Sequence, residues 1–414
     1  MAKETLEEFL RDPDGEVGRP YRGWREGEFD AHLIDVGIAE AFFHVYPDGT
    51  TALFDCGDRD PDSRGASGRA PRPNGTRRPG EWVARYIARL CPALETIDYL
   101  VATHFHKDHI GATGIGAEIT RGRGDDYELS GFAQVGEFFR FGVALDRGYP
   151  EYPHVGEKSA AEVENFRRFL SFHERERGLT REAFRVGARD QIALRREPER
   201  YAFHTRNVCA NGVFWTGVGE ETEDFLAKNG LDDIRSRLEN TMSLGVAFEY
   251  GPFRFFTGGD MMNATRKRDW SDGVDAEGTI GRLIGAQDVC KANHHASRGS
   301  STRGFVNAVR SRVYMTNVWQ DRHLKLHALE AMGDDGPTGY PGSRFICPTG
   351  LLEWKAAVAE RESWGRYLVK RSGHVVLKAY AGGARFKVYY VSSADESMSV
   401  DAVFGPFWAR LASF

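Results

Sequence analysis

The stretch THFHKDHIGA (residues 103–112) places three histidines and one aspartate within six positions. It follows TIDYLVA, an apolar run that predicts a buried strand. Residues two apart at the end of a strand point the same way, so His104 and His106 can converge on one ion. Asp108 and His109 can turn toward a second ion. Imidazole and carboxylate are ligands of Zn²⁺, with Mn²⁺ and Fe as alternatives, so the stretch predicts a metal site.

The composition predicts a soluble globular protein. The chain has 414 residues, 41% hydrophobic and 28% charged, which is enough for a substantial core. A formal charge of −5 does not favour nucleic acid as a partner and gives no reason to expect a membrane partner. The five cysteines lack CxxC spacing and predict free thiols. Since neither an apolar leader nor an apolar run of about 18 residues is present, we expect a cytoplasmic protein without a transmembrane helix.

The rest of the sequence predicts a layered α/β fold in one large domain, residues 28–414, after an N-terminal extension, residues 1–27. A strand pair around a Pro-Asp-Gly turn at 47–49 precedes the histidine stretch. Residues 115–200 are less regular and are predicted to form an inserted, lid-like segment. Strands and helices alternate in the second half, and two final apolar runs predict a C-terminal β-hairpin.

The HxHxDH spacing after a strand resembles the signature of the metallo-β-lactamase superfamily. That resemblance implies an αββα sandwich with metal ions at one edge. The family places an aspartate after an early strand pair, a position matched by Asp55 in LFDCGD. It places a metal-bridging aspartate after a later strand, matched by Asp260 in FFTGGDM, and a last histidine after the next strand, matched by KANHHAS.

A finer set of motifs is similar to one branch, the hydrolase domain of ComEC-type competence proteins and their soluble relatives. The branch pattern DVGQGDA, PDG, D-x-G, HxHxDH, N-x-x-S-L, GD and HHGS has ordered counterparts between about residues 30 and 325. They are DVGIAEA, PDG, DCG, THFHKDH, NTMSL, GGD and HHAS. The first and last motifs differ from those of the branch. The substrate of this chain is therefore not expected to match that of the branch closely.

The resemblance implies a ligand set for two zinc ions, with Mn²⁺ or Fe as alternatives. One ion would be bound by His104 and His106, with Asn240 at the position of the family's usual third histidine. The other ion would be bound by Asp108, His109 and His295, and Asp260 would bridge the two ions. Of the adjacent His294 and His295, the residue before the small Ala296 is favoured as the ligand, and His294 as a supporting or substrate contact. Asp55, Asp108 and Asp260 are the predicted catalytic carboxylates, with Asp55 orienting a ligand.

Such a centre implies hydrolysis by a metal-bound hydroxide, with no serine or cysteine nucleophile. We expect a phosphodiesterase acting on a small-molecule or other anionic substrate, because of the branch motifs and an arginine-rich loop at 59–79. Arg298 and His323 are further candidate substrate contacts. The same centre supports cleavage of a carboxylic ester, lactone or amide. Iron redox chemistry and a non-catalytic binding role are two further hypotheses, and the sequence predicts no particular oligomeric state.

Overall fold

The computed structural model describes residues 12, 14–60, 69–116, 118, 126–267 and 271–410. Within them the protein has a mixed α/β fold with two sheets, as predicted. The strands are β1 Phe29–Leu33, β2 Ala41–Val45, β3 Thr51–Cys56, β4 Thr96–Ala102, β5 Arg140–Asp146, β6 Thr180–Ala183, β7 Phe203–Ala210, β8 Val213–Trp215, β9 Thr222–Asp224, β10 Gly245–Tyr250, β11 Phe253–Thr257, β12 Val289–Lys291, β13 Val313–Thr316, β14 Phe345–Pro348, β15 His374–Tyr380, β16 Arg385–Val391 and β17 Val400–Trp408. The helices are α1 Pro79–Leu90, α2 Lys107–Ile110, α3 Phe132–Phe138, α4 Ala160–Arg177, α5 Phe225–Lys228, α6 Ala276–Ile284, α7 Arg303–Val309, α8 Leu326–Gly333 and α9 Glu353–Ala359.

The first sheet has the strand order β17-β16-β15-β1-β2-β3-β4-β5-β6. Its strands from β17 to β3 pair antiparallel, and those from β3 to β6 pair parallel. The second sheet has the order β14-β13-β12-β11-β10-β7-β8-β9, with β11 to β14 parallel and the rest antiparallel. Parallel strands bring their carboxyl ends to one edge, where loops that carry function collect.

The two sheets share an aromatic core. Alternate residues of β1, such as Phe29 and Leu33, belong to the same buried cluster as Phe248 and Phe255 of the second sheet. This alternation follows from the two-residue period of a strand. The opposite face of the first sheet packs with α1, α3 and α4, and the opposite face of the second sheet packs with α6, α7 and α8.

The segment predicted as a lid, residues 115–200, contributes two strands to the first sheet. It contains β5 and β6, which extend the parallel run from β4, and α4 packs on β5. Its strands were hard to predict because β5 is buried on both faces and β6 is only four residues long. Residues 117 and 119–125 lie outside the described part.

The chain ends hold further differences from the sequence-based expectation. The predicted terminal hairpin is β15 and β16, and β17 adds a third antiparallel strand beyond it. Part of the predicted N-terminal extension lies along β17, where Gly18 N–H donates to Val400 C=O at 2.9 Å. Residues 1–11 and 13 lie outside the described part. In the described residues, no helix combines the length and apolar character needed to cross a membrane.

Candidate metal centre

Asp55 fixes the orientation of one histidine of the HxHxDH stretch. It lies at the end of β3 with a φ of 55°. Its carboxylate accepts hydrogen bonds from the Thr103 N–H and hydroxyl, both at 2.7 Å. The same carboxylate lies 2.8 Å from Nδ1 of His109. A carboxylate on one ring nitrogen sets the tautomer and leaves the other nitrogen available as a ligand.

Two glycines allow the loops at this edge to approach each other. A Cβ atom on Gly57 would lie 1.9 Å from the backbone carbonyl of Asp108. A Cβ atom on Gly259, which has a φ of +54°, would lie 2.5 Å from Oγ1 of Thr103. The DCG and GGD motifs therefore have a steric reason for these glycines, since a residue with a Cβ atom could not approach its neighbour so closely.

Four buried residues form what we call the enclosed group: Glu40, His109, Asp260 and His295. One ligand atom from each lies within 4.8 Å of all the others. Nε2 of His109 is 3.2 Å from Oδ2 of Asp260, and Nε2 of His295 is 3.3 Å from Oδ1 of Asp260. Nδ1 of His295 lies 3.3 Å from Oε2 of Glu40. Two imidazoles and two carboxylates are a donor set that Zn²⁺ and Fe both accept.

Three residues form the open group: His104, His106 and Asp260, again with ligand atoms within 4.8 Å of one another. Nε2 of His104 lies 3.1 Å from Nδ1 of His106 and 3.8 Å from Oδ2 of Asp260. His106 is only partly buried and lines a cavity of about 200 Å³ together with Asn240 and Met262. This side of the centre is accessible to a ligand entering through the cavity.

Asp260 belongs to both groups, and its electrostatic surroundings match that position. Burial alone would raise the pKa of this carboxyl, but the His109 and His295 rings lower it well below its usual value. Burial likewise opposes charge on His109, yet the carboxylates of Asp260 and Asp55 raise the pKa of His109 well above normal. Burial lowers the pKa of His104 well below normal, with His109 adding to that effect. The Asp260 carboxylate is therefore ionised, as a metal ligand requires.

Glu40 has no role in the sequence-based ligand set. It stands in DVGIAEA where the related motif DVGQGDA has its second aspartate, so that alignment of motifs could have identified it. Its backbone is tied to the histidine stretch, since Glu40 N–H donates to Asp108 C=O at 3.0 Å. Its other carboxylate oxygen pairs with Nζ of the buried Lys291 at 2.9 Å. Burial raises the pKa of Glu40, and Lys291, His109 and His295 oppose that shift.

Asp108, predicted as a ligand, is in neither group. Its carboxylate lies 3.6 Å from Nη1 of Arg59. Burial would raise the pKa of Asp108, but His109 and Arg59 keep it below the usual value. An ionised carboxylate therefore stands beside the centre, held by an arginine from the loop that follows β3.

The HHAS turn has unusual backbone geometry. His294, His295 and Ala296 all have positive φ angles, of 46°, 53° and 54°. Such strained backbone at a candidate site persists when surrounding contacts hold it. The buried Glu277 supplies such contacts, because its carboxylate accepts from Asn293 Nδ2 at 2.9 Å and from Ser301 N–H at 2.7 Å.

The paired histidines separate in this turn. His295 enters the enclosed group, whereas Nε2 of His294 lies 3.1 Å from Nδ2 of Asn240. Burial lowers the pKa of His294 to about 4. The segment carrying Asn240 is tied to the histidine stretch, since the Glu239 carboxylate accepts from Phe105 N–H at 2.8 Å.

His323 and Arg298 differ in their relation to the centre. The His323 ring stacks on that of His295 with centroids 4.4 Å apart, and Trp319 packs on both rings. His323 is thus a buried neighbour of a candidate ligand. Arg298 is exposed and lines a second cavity, which also contains Arg237.

Two arginines in the described part of the arginine-rich loop pair with carboxylates. Arg69 forms a bidentate pair with Asp35, at 2.8 and 2.9 Å. Arg78 pairs with Asp58 at 2.6 Å. Arg64 falls within residues 61–68, outside the described residues. The paired arginines hold the loop against the fold, so their presence no longer favours an anionic substrate.

Comparisons with protein-family models and with curated proteins find no match. Among solved structures, CmlA, described as a diiron beta-hydroxylase from Streptomyces venezuelae, matches at 13% identity and a TM-score of 0.35, over 86% of this chain and 54% of that one. A mutant of the CmlA beta-hydroxylase matches at 14% identity and a TM-score of 0.32, over 75% and 48%. The chain therefore spans about half the length of these structures. Likeness at these scores assigns no activity to this chain.

Proposed function

We propose that this protein is a metal-dependent hydrolase with the αββα fold of the metallo-β-lactamase superfamily. The observation that carries the proposal is a single buried carboxylate, Asp260, shared by two sets of metal-ligand side chains. Shared carboxylates of this kind are typical of centres that hold two ions for hydrolysis.

The side chains of the enclosed group fit a cation. Several of their buried polar atoms have no hydrogen-bond partner among the described residues: Oε2 of Glu40, Nε2 of His109, Oδ1 of Asp260, and both ring nitrogens of His295. Buried polar atoms without partners cost free energy in the interior. Since an imidazole binds an ion through one nitrogen, an ion beside Asp260 would satisfy Nε2 of His109 and Nε2 of His295, the ring nitrogens that face that carboxylate.

In the proposed mechanism, each residue has a separate task. Glu40, His109 and His295 would hold one ion, His104 and His106 the other, and Asp260 would contact both. When bound, such ions supply Lewis acidity and make a coordinated water a stronger acid. Asp55 keeps the free nitrogen of His109 aimed at the centre. Asp108 is the nearby ionised carboxylate that can accept a proton from the attacking water or return one to the leaving group.

The bond cleaved is proposed to be a phosphodiester. Cations that line the cavities adjoining His106, Arg237 and Arg298 among them, support an anionic substrate. A carboxylic ester, lactone or amide is the alternative on the same residues.

Hydrolysis assays on the full chain test the proposal. Protein supplied with Zn²⁺ or Mn²⁺ is expected to cleave bis-p-nitrophenyl phosphate, and Asp260→Asn is expected to lower the rate by at least about 10³-fold. Asp190→Asn, an exposed carboxylate elsewhere, is the matched control and should retain full rate. Turnover of lactones or β-lactams without cleavage of the phosphodiester would favour the alternative, a carboxylic ester, lactone or amide bond. No turnover of any of these compounds, or an unchanged rate in Asp260→Asn, would refute hydrolysis at this centre.

Iron-dependent oxidation is the second candidate function. The enclosed group contains two histidines and two carboxylates, and histidine–carboxylate sites with open positions are typical of non-haem iron oxygenases. Stoichiometric iron in protein purified without added metal, with a visible absorbance band and substrate-dependent O₂ uptake, would favour it over hydrolysis. Protein that takes up zinc and consumes no O₂ would exclude it.

A further inference from the structure

A cavity of about 550 Å³ continues from the one beside His106. The two cavities share three lining residues, Arg237, Leu238 and Thr265. A molecule bound at the open group can therefore extend across Leu238 into the second cavity. The volume lies within the usual range for small-molecule sites.

The described residues that line the second cavity carry charge of one sign. They include four cations and no carboxylate: Arg237, Arg266, Lys267 and Arg298. Arg266 already forms a bidentate pair with Asp233. Among the described residues, the side chains of Arg237 and Lys267 make neither a hydrogen bond nor a salt bridge. These two cations therefore remain available to a ligand.

The backbone that presents these cations is anchored. Arg235, two residues before Arg237, pairs with Asp224 and with Asp232, the latter at 2.7 Å. The Thr265 hydroxyl bonds the Asp272 carboxylate at 2.5 Å, and Asp272 also accepts from Lys267 N–H at 3.2 Å. These polar contacts hold both segments without using either cationic side chain. Such anchoring limits the entropy lost when a ligand binds.

We propose that this cavity is an oxyanion subsite that binds a second charged group of the substrate, a phosphate or a carboxylate. The assignment rests on the proposed function, since the bond that reacts would lie at the groups sharing Asp260. Guanidinium pairs with either oxyanion through two parallel hydrogen bonds, and the ammonium of Lys267 adds a point charge. The substrate class is accordingly a small molecule with an anionic group set apart from the bond that is cleaved.

Binding of three aryl probes to the full-length, metal-loaded protein tests the subsite by calorimetry. Phenyl phosphate and benzoate carry the two candidate oxyanions, and benzyl alcohol is their uncharged match. We expect at least one of the anions to bind more tightly than benzyl alcohol, with an affinity that falls as salt is added. The tighter anion identifies the group that the subsite accepts.

Substitutions separate the subsite from the metal centre. Arg237→Gln and Lys267→Gln should each weaken binding of the preferred anion about tenfold, the loss expected for one charge-assisted hydrogen bond. Arg185→Gln is the matched control, because Arg185 is exposed, pairs with Asp190 and lines neither cavity. Circular dichroism on each variant establishes that the fold is retained.

The outcomes distinguish this proposal from the proposed function. Anion binding that depends on Arg237 and Lys267 supports the subsite even when no hydrolysis is found. Anion binding that both Gln variants leave unchanged places the anion elsewhere, for example on the metal ions, and overturns the subsite. Equal binding of all three probes also overturns it, whatever the protein hydrolyses.

Discussion

The two halves of the candidate metal centre differ in how much of the fold supports them. Every member of the enclosed group is buried, and Asp55 and Lys291 contact two of those members directly. The open group has two histidines beside the shared Asp260, and one of them, His106, borders a cavity. Asn240 lines the same cavity, and its Nδ2 lies 3.1 Å from Nε2 of His294.

This difference predicts two ion sites of unequal strength. Contacts behind a ligand hold it in the binding geometry, and their loss commonly costs about 10- to 100-fold in metal affinity. The enclosed group has such contacts and more donors, so it should bind first and release last. The open group, with fewer donors and access from the cavity, should exchange its ion and admit the substrate.

The largest expected effect comes from removing the residue common to both groups. Asp260→Ala should abolish stoichiometric metal binding, because each group loses a carboxylate and two buried histidines lose their charged neighbour. Metal analysis after gel filtration measures this. Asp146→Asn, a buried carboxylate bonded to Tyr152 away from the centre, is the control for general destabilisation. Two ions retained in Asp260→Ala would break the premise that the groups share a ligand.

Substituting Asp55 sharpens the comparison by affecting one half only. In Asp55→Asn, the amide no longer pairs as an anion with Nδ1 of His109, so the ring loses its fixed orientation. We expect about 10- to 100-fold weaker binding at the enclosed group and little change at the open group. Competition with a chromogenic chelator resolves the two affinities. Equal losses at both sites would mean that the halves are not independently supported.

Strengthening the weaker half is the converse test. Asn240→His adds an imidazole beside His294 and the cavity that His106 lines. We expect on the order of tenfold tighter binding of the second ion, a gain of about 1.4 kcal/mol. Asn240→Ala offers no donor and serves as the control. If the histidine variant binds the second ion no better than the alanine variant, Asn240 does not face the open group's ion.

The last expected effect concerns the pH dependence of stability and a buried histidine outside the metal centre. His44 is fully buried among Phe42, Phe54 and Phe248, and neither ring nitrogen has a hydrogen-bond partner among the described residues. Burial lowers the pKa of His44 well below normal. His44 therefore binds a proton in the unfolded chain but stays neutral in the folded chain. The free energy of unfolding falls as pH drops through about 6.5.

His44→Leu removes that contribution. Urea unfolding between pH 8 and pH 5 should show a loss of stability smaller than in the native chain by up to about 2 kcal/mol. His204→Leu, an exposed position on β7, should leave the pH dependence unchanged. An unaltered slope in His44→Leu would assign the acid sensitivity to other groups, such as the buried His32 and His374.

Sequence patterns predicted the residues that carry a local signal. The HxHxDH stretch, Asp260 and His295 all follow strand ends in recognisable motifs, and the structure brings most of their side chains together. Glu40 was missed although its place in DVGIAEA could have identified it, because long-range contacts bring its carboxylate to His295. The same limit applies to the arginines, since no local pattern tells a paired Arg69 from Arg237. Long-range contacts decide which charged residues are available.

The extent of the first sheet was harder to predict for a related reason. Strand β5 carries residues buried on both faces and therefore lacks the alternation of a half-exposed strand, and β6 is too short to show a period. Their places in the sheet come from parallel pairing of β5 with β4 and of β6 with β5, which neither segment reveals alone.

Stepwise metal titration of the full-length chain tests the central claim most directly. Calorimetry with Zn²⁺ should show two ions per chain in two phases, the first at least about tenfold tighter than the second, and Asp55→Asn should weaken the first phase alone. A single ion, two ions of equal affinity, or no binding would contradict an unequal two-ion centre built on Asp260.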